Sequence, residues 1–165
     1  MPSFGKTSRK RRDQGHPDLI KILDYAIQFY DFSIIEVLRS VTRQHELWQK
    51  GRKLKHPSLD PFKRSSWVKT GRTVTNIDGH EKTGKHNLNP PEAFDVYPYP
   101  IDLKNELKAR ARFYYMAGIV MQCARELYAK GEIEHILRWG GDWDQDSDFT
   151  DQTFDDLPHF ELYKP

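Results

Sequence analysis

The sequence predicts an α+β fold: a small antiparallel sheet with flanking helices. Segments of helical and strand period follow one another without the regular β-α-β alternation that a parallel sheet requires. The strand-like runs are short and are bounded by proline and glycine. The 165 residues, 37% hydrophobic and 13% aromatic, suffice for one sizeable core, and the chain shows no internal repeat.

Taken in order, residues 1–15 carry Lys6, Arg9, Lys10, Arg11 and Arg12 and read as a basic, flexible segment ahead of a single domain over residues 16–165. His16-Pro17-Asp18 opens a helix, with Leu19, Ile22, Leu23, Ala26 and Ile27 at helical spacing. SIIEVL is strand-like, and Thr42 to Gly51 is helical with a glycine stop. From Arg52 to Asn89 the chain is polar and broken by Pro57, Pro61, Gly71, Gly79 and Gly84, which predicts a long excursion with a strand near RTVTNI. AFDVYPYP alternates as a strand stopped by Pro98 and Pro100. Leu103 to Lys130 forms the main helix, stopped by Gly131; ILRWG and HFELY are the last strands, separated by an acidic loop.

Composition removes several classes of function. The apolar run FYYMAGIVM is too short to span a bilayer, and the N-terminus lacks the apolar core of a secretory signal. A chain made in the cytoplasm, and expected as a monomer, would then need release to act outside. The net charge of +2 is too mild to imply nucleic acid. The lone Cys123 excludes an intrachain disulfide and reads as a buried thiol. Two motifs nearly fit and fail. GHEKTGKH resembles a phosphate-binding loop, but His86 stands where a hydroxyl must hold magnesium, and the prolines that follow forbid the helix. HELWQ resembles HExxH, but Gln49 replaces the second histidine.

KHNLNPPEAFD supplies His86 and Asp95, and DDLPHFEL supplies His159; two histidines and a carboxylate suit a catalytic zinc that keeps one position for water. Asp95 alternates with Phe94 and Val96, and His159 with Pro158 and Phe160, so both are expected to point from strands toward one face. From spacing alone, a structural histidine remains the commoner reading.

HPDL, EVLRSVTRQHELWQKGR, KHNLNPPEAFDVYPYP, LRWGGDWD and DLPHFEL occur in an order that resembles the VanY-type zinc peptidases, and the chain is similar to bacteriophage L-alanyl-D-glutamate peptidase endolysins. The resemblance covers nearly the whole chain. It implies the small zinc peptidase fold of the D-Ala-D-Ala carboxypeptidase type, Zn2+ held by His86, Asp95 and His159, and a peptidoglycan stem peptide as substrate. It implies Asp156 as the catalytic base and Arg39 as the group facing the oxyanion. Gln44 is expected to support Arg39 or the substrate, and Trp139, Asp142 and Trp143 are expected at the substrate, with one tryptophan in the core and the other bordering the groove. Gly84 stands where the family usually has serine, and the interval from His86 to Asp95 is longer than usual. A D-Ala-D-Ala carboxypeptidase is the alternative activity, and a non-catalytic wall-binding or virion protein the alternative of another class.

One further expectation concerns the acidic loop. Asp144, Asp146 and Asp148 alternate as in a calcium loop, with Asp155 at the twelfth position, but Phe149 replaces the turn glycine. The loop reads as a solvated acidic surface, with Ca2+ as the alternative.

Overall fold

AFDVYP alternates because one of its faces is wanted by the core. A computed structural model, describing residues 1–152 and 154–165, places it in strand β4 (Ala93–Pro98), with Phe94 and Val96 fully buried and Asp95 and Tyr97 on the opposite face. β4 lies inside a four-stranded antiparallel sheet of order β1-β4-β6-β5, formed with β1 (Phe32–Glu36), β5 (Ile136–Trp139) and β6 (His159–Tyr163). The same alternation puts Phe160 and Leu162 of β6, and Leu137 and Trp139 of β5, on the core face. Phe94 and Phe160 stack there with ring centroids 5.1 Å apart.

The chain divides into two compact units, residues 1–38 with 90–165 and residues 39–89, where a single domain over 16–165 was expected. In the first, helices α2 (Pro17–Ala26) and α4 (Glu106–Ala129) supply the rest of the core. Leu19, Ile22, Leu23, Ala26 and Ile27 are all buried, as their spacing predicts. α4 begins later than expected because Asn105 caps it, accepting from Lys108 N at 2.9 Å. It ends at Gly131, whose φ of +71° lets Gly131 N–H reach Tyr128 O and Glu132 N–H reach Leu127 O. Cys123 is buried on this helix, and burial pushes its thiol up to about 11. No helix among the described residues is long and apolar enough to cross a membrane.

Residues 1–15 are a correction. They are not a free arm: Lys6–Arg12 form helix α1, and Phe4 is buried edge-on against Phe32. Ile34 of β1 donates its N–H to Ser8 Oγ (3.1 Å) and accepts at its carbonyl from Arg11 Nη1 (2.7 Å), so α1 covers the outer edge of the sheet. Arg12 adds ion pairs to Asp13 and Asp24.

His16, Asp18 and His135 also gather, with ligand atoms within 4.8 Å of one another. Their donors and acceptors are spent on structure. The His16 Nδ1 lone pair caps α2 by accepting from Asp18 N, and Asp18 Oδ2 accepts from Glu134 N, His135 N and His135 Nδ1. The cluster clasps the start of β5 to the start of α2.

The second unit has its own small core. Helix α3 (Val41–Gln49), capped by Ser40 Oγ on Arg43 N, buries His45 and Trp48, with Phe62, Trp67 and His80 around them. His45 therefore packs within an aromatic cluster, as befits a failed HExxH. A two-stranded ribbon joins β2 (Arg52–Leu54) to β3 (Trp67–Lys69). The expected strand at RTVTNI is absent. Its backbone is taken by side chains instead: Arg64 Nη1 donates to Asn76 O, Gln44 Nε2 to Ile77 O, and Ile77 N to Thr75 Oγ1. Buried Asp78 then organises the following turn, accepting at one oxygen from the N–H groups of His80, Glu81 and Lys82 and at the other from Arg64.

Candidate metal centre

Strand register builds the first part of the site. Asp95 of β4 and His159 of β6 are direct cross-strand neighbours on the face away from the core, and Asp95 Oδ1 lies 3.0 Å from His159 Nδ1. On the other side of β4, a bulge after Ile34 brings Glu36 opposite Asp95. Two residues along β6, Glu161 points the same way, and its Oε2 lies 3.2 Å from His159 Nε2. Arg138, directly across from Glu161 on β5, hydrogen-bonds its Oε1. Both imidazole nitrogens thus face carboxylates, and the Trp143 ring lies against the imidazole with centroids 5.6 Å apart.

These neighbours govern protonation. Burial disfavours a charged imidazole, but hydrogen bonds to Asp95 and Glu161 outweigh it and push His159 up to about 9. Burial likewise works against a charged Glu161, yet His159 and Arg138 hold it down to about 2. On Tyr97, which shares the Asp95 face of β4, burial raises the phenol first, and the charges of Asp95 and Asp156 raise it further. A buried imidazole nitrogen beside a carboxylate oxygen is a nitrogen and oxygen donor set of the kind zinc accepts. Two ligand atoms on a tetrahedral zinc are about 3.3 Å apart, close to the observed Asp95–His159 spacing.

Asp156 is set by backbone. Its N–H donates to Gly140 O (2.8 Å), its carbonyl accepts from His159 N (2.9 Å), and Gly140 N–H donates to His159 O (2.8 Å). The WGGDW turn and the DLPH turn are laced together at this point. A Cβ on Gly140 would lie 2.5 Å from Asp156 O, so the close approach requires glycine.

The two tryptophans take different places. Trp139 is in the core, its indole N–H donating to Leu157 O, so its expected place at the substrate is corrected: its register on β5 turns it inward. Trp143 is the one beside His159, with Arg138 over its ring at 5.3 Å. Asp142, half-buried, has one carboxylate oxygen enclosed with no hydrogen-bond partner among the described residues.

The second unit carries Arg39, Gln44 and His86. Arg39 Nη1 donates to Gln44 Oε1 (3.1 Å), while Gln44 Nε2 donates to Ile77 O (2.8 Å). Gln44 is 2% exposed with both ends of its amide occupied, so of its two expected places, beside Arg39 or at the substrate, the hydrogen bonds put it beside Arg39. The backbone joins in: Arg39 N–H donates to His86 O, and Asn87 Nδ2 to Arg39 O. His86 itself is buried in a single 3-10 turn, Lys85–Asn87.

In the acidic loop, the structure gathers Asp142, Asp144 and Asp146 rather than the expected Asp144, Asp146, Asp148 and Asp155. Asp148 accepts from the N–H and hydroxyl of Thr150, and Asp155 is bound by Arg110 of α4 at 2.8 Å. Sequence reasoning missed Glu161, Arg138 and Tyr97. Strand alternation could have found Glu161 and Tyr97, each two residues from an expected ligand, whereas Arg138 needed the β5–β6 register.

Comparison with known proteins gives the family and the fold. The family model described as phage L-alanyl-D-glutamate peptidase matches residues 2–163. The crystal structure of the Serratia marcescens L-Ala D-Glu endopeptidase ChiX superposes with a TM-score of 0.59 at 24% sequence identity, covering 97% of this chain and 89% of that one. No curated protein sequence matches. With a family match running almost end to end and a shared fold, the chain belongs to the phage L-alanyl-D-glutamate peptidase family and is a peptidase that cleaves peptidoglycan.

Proposed function

We propose that this peptidase hydrolyses the L-Ala–D-Glu bond of the stem peptide with one zinc, held by His86, Asp95 and His159. The observation that carries the reading is the Asp95–His159 pair, a carboxylate and an imidazole brought side by side by register on the face of the sheet away from the core. His86 enters as the third ligand on family resemblance. Zinc, when bound, would lower the pKa of a coordinated water from about 16 to roughly 7.

The chain's own residues do the rest. Asp156, three residues before His159 and tethered by Gly140, takes a proton from the attacking water and passes it toward the departing amine of D-Glu. Arg39, held by Gln44, turns its guanidinium to the charge that develops on the carbonyl oxygen. Trp143 flanks the imidazole and borders the groove. The acidic loop, with Asp155 already bound by Arg110, is read as a solvated surface.

Metal analysis paired with digestion of purified cell walls is the test. Stoichiometric zinc and released peptides that begin at D-Glu are expected, and His159→Ala should lose both metal and lysis, since only two protein ligands would remain. Removal of a single terminal D-Ala would mean a carboxypeptidase, and full zinc in the His159→Ala protein would end the ligand assignment.

A further inference from the structure

Resting on the zinc reading above, we propose that Glu161 is a positioning residue that, in the zinc-loaded protein, keeps the His159 proton on Nε2 and leaves the Nδ1 lone pair, facing Asp95, for the metal. A neutral imidazole has one N–H and one lone pair, and a carboxylate can only accept. The nitrogen turned toward a fixed carboxylate must therefore carry the hydrogen. His159 has a carboxylate at each nitrogen, Asp95 at Nδ1 and Glu161 at Nε2, and Asp95 is the one expected to share the metal, which leaves Glu161 to take the remaining N–H.

Glu161 is held in place for that bond. Its Oε1 is bound by Arg138, its cross-strand neighbour, leaving Oε2 for the imidazole. The guanidinium is itself held between the rings of Trp143, at 5.3 Å, and Tyr163, at 6.0 Å. The Trp143 ring then lies against the face of His159. Arg138, Glu161, Trp143 and the imidazole thus form one closed set, all on β5, β6 and the turn that follows β5. Asp95 is the expected ligand, and its place beside Nδ1 is where a shared metal would be taken up. A histidine ligand whose distal N–H is held by a carboxylate is a better donor, and loss of that partner weakens metal affinity by about 10- to 100-fold.

The first measurement is a two-dimensional 15N–1H spectrum of the histidine side chains in the zinc-loaded protein. We expect His159 to carry its proton on Nε2 and to show the nitrogen shift of a metal-bound Nδ1. A protonated Nδ1 with the metal on Nε2 would overturn the proposal, and this measurement needs no variant to fold. The second is zinc affinity, read by competition with a chromogenic chelator, for Glu161→Ala and Glu161→Gln beside the wild type. The alanine variant should bind zinc about 10- to 100-fold more weakly. The glutamine variant has one acceptor oxygen for two donors, Arg138 and Nε2–H, and should fall between alanine and the wild type. Wild-type affinity in Glu161→Ala would sink the positioning role. His159→Ala separates the two readings: if it keeps wild-type affinity, the zinc assignment fails, whereas if it loses zinc while Glu161→Ala does not, only the present inference fails.

Discussion

At the scale of single residues, the groups expected to do chemistry differ in how they are held. Asp156 is fixed through its main chain, by Gly140 on one side and His159 on the other, so replacing its carboxylate should leave the turn in place. Asp156→Asn is accordingly expected to keep its metal and its melting temperature while losing about 100- to 10,000-fold in turnover, because an amide cannot accept the water's proton. Near-normal turnover on purified walls would place the base elsewhere. His159 and Asp95 were legible in the sequence because strand alternation sends both away from Phe94, Val96 and Phe160, which the core demands. The division between Trp139 and Trp143 was not, since WGGDW gives no period and only the β5–β6 register turns Trp139 inward. Which of its two expected places Gln44 takes was hidden for a similar reason: its partner Ile77 lies far along the chain, and nothing local announces that the amide is saturated.

At the scale of elements, the helices were easier to foresee than the ribbon. α2 announces itself through apolar spacing and a proline in its first turn, and α4 through its length and a stop glycine. β2 and β3 have three residues each, too few to show alternation, and RTVTNI has strand-forming residues but no neighbouring strand to pair with. Its order depends on the turn around Asp78, a fully buried carboxylate. There, burial raises the pKa, but three backbone N–H groups and Arg64 lower it by more, leaving it below its ordinary 3.8. The sign follows from linkage: the stabilisation is complete above the unfolded value and is lost as pH falls through the folded value. Asp78→Ala would strand those donors, and we expect a loss of about 2–4 kcal/mol of stability at neutral pH. The variant should also lose the part of the acid sensitivity below pH 4 that this carboxylate contributes. Urea melts across pH 3 to 7, comparing both proteins, check this, and equal stabilities at pH 7 would show that the turn does not depend on the carboxylate.

For the whole molecule, the mild net charge conceals a partition. Residues 39–89 contain twelve Lys and Arg against four Asp and Glu, a net +8, while the remaining residues carry a net −6. The basic residues of this segment were visible in the sequence, but the boundary that makes them one unit emerges only from the contacts. Lys53, Lys69 and Arg72 are exposed there. A substrate with many carboxylates, in a wall that is itself polyanionic, should be attracted to this unit over a Debye length of about 8 Å at physiological salt. Replacing Lys53, Lys69 and Arg72 by glutamate should weaken binding to intact walls several-fold at low salt, with the difference vanishing near 0.5 M salt. Hydrolysis of a short soluble stem peptide should be unchanged. Equal wall binding by both proteins at low ionic strength would count against an electrostatic contribution from this unit.

The helix at the start of the chain has a bearing on solubility. β1 is a border strand, and a border strand with free N–H and C=O groups is a template on which another chain can build. Ser8 and Arg11 occupy both main-chain groups of Ile34, and Phe4 seals the end of the strand against Phe32. Residues that look like a cationic tag therefore act as a guard against strand-to-strand polymerisation. A trimmed chain beginning at His16 would keep every expected metal ligand, yet it would present an open edge and tend to aggregate through it as the concentration rises.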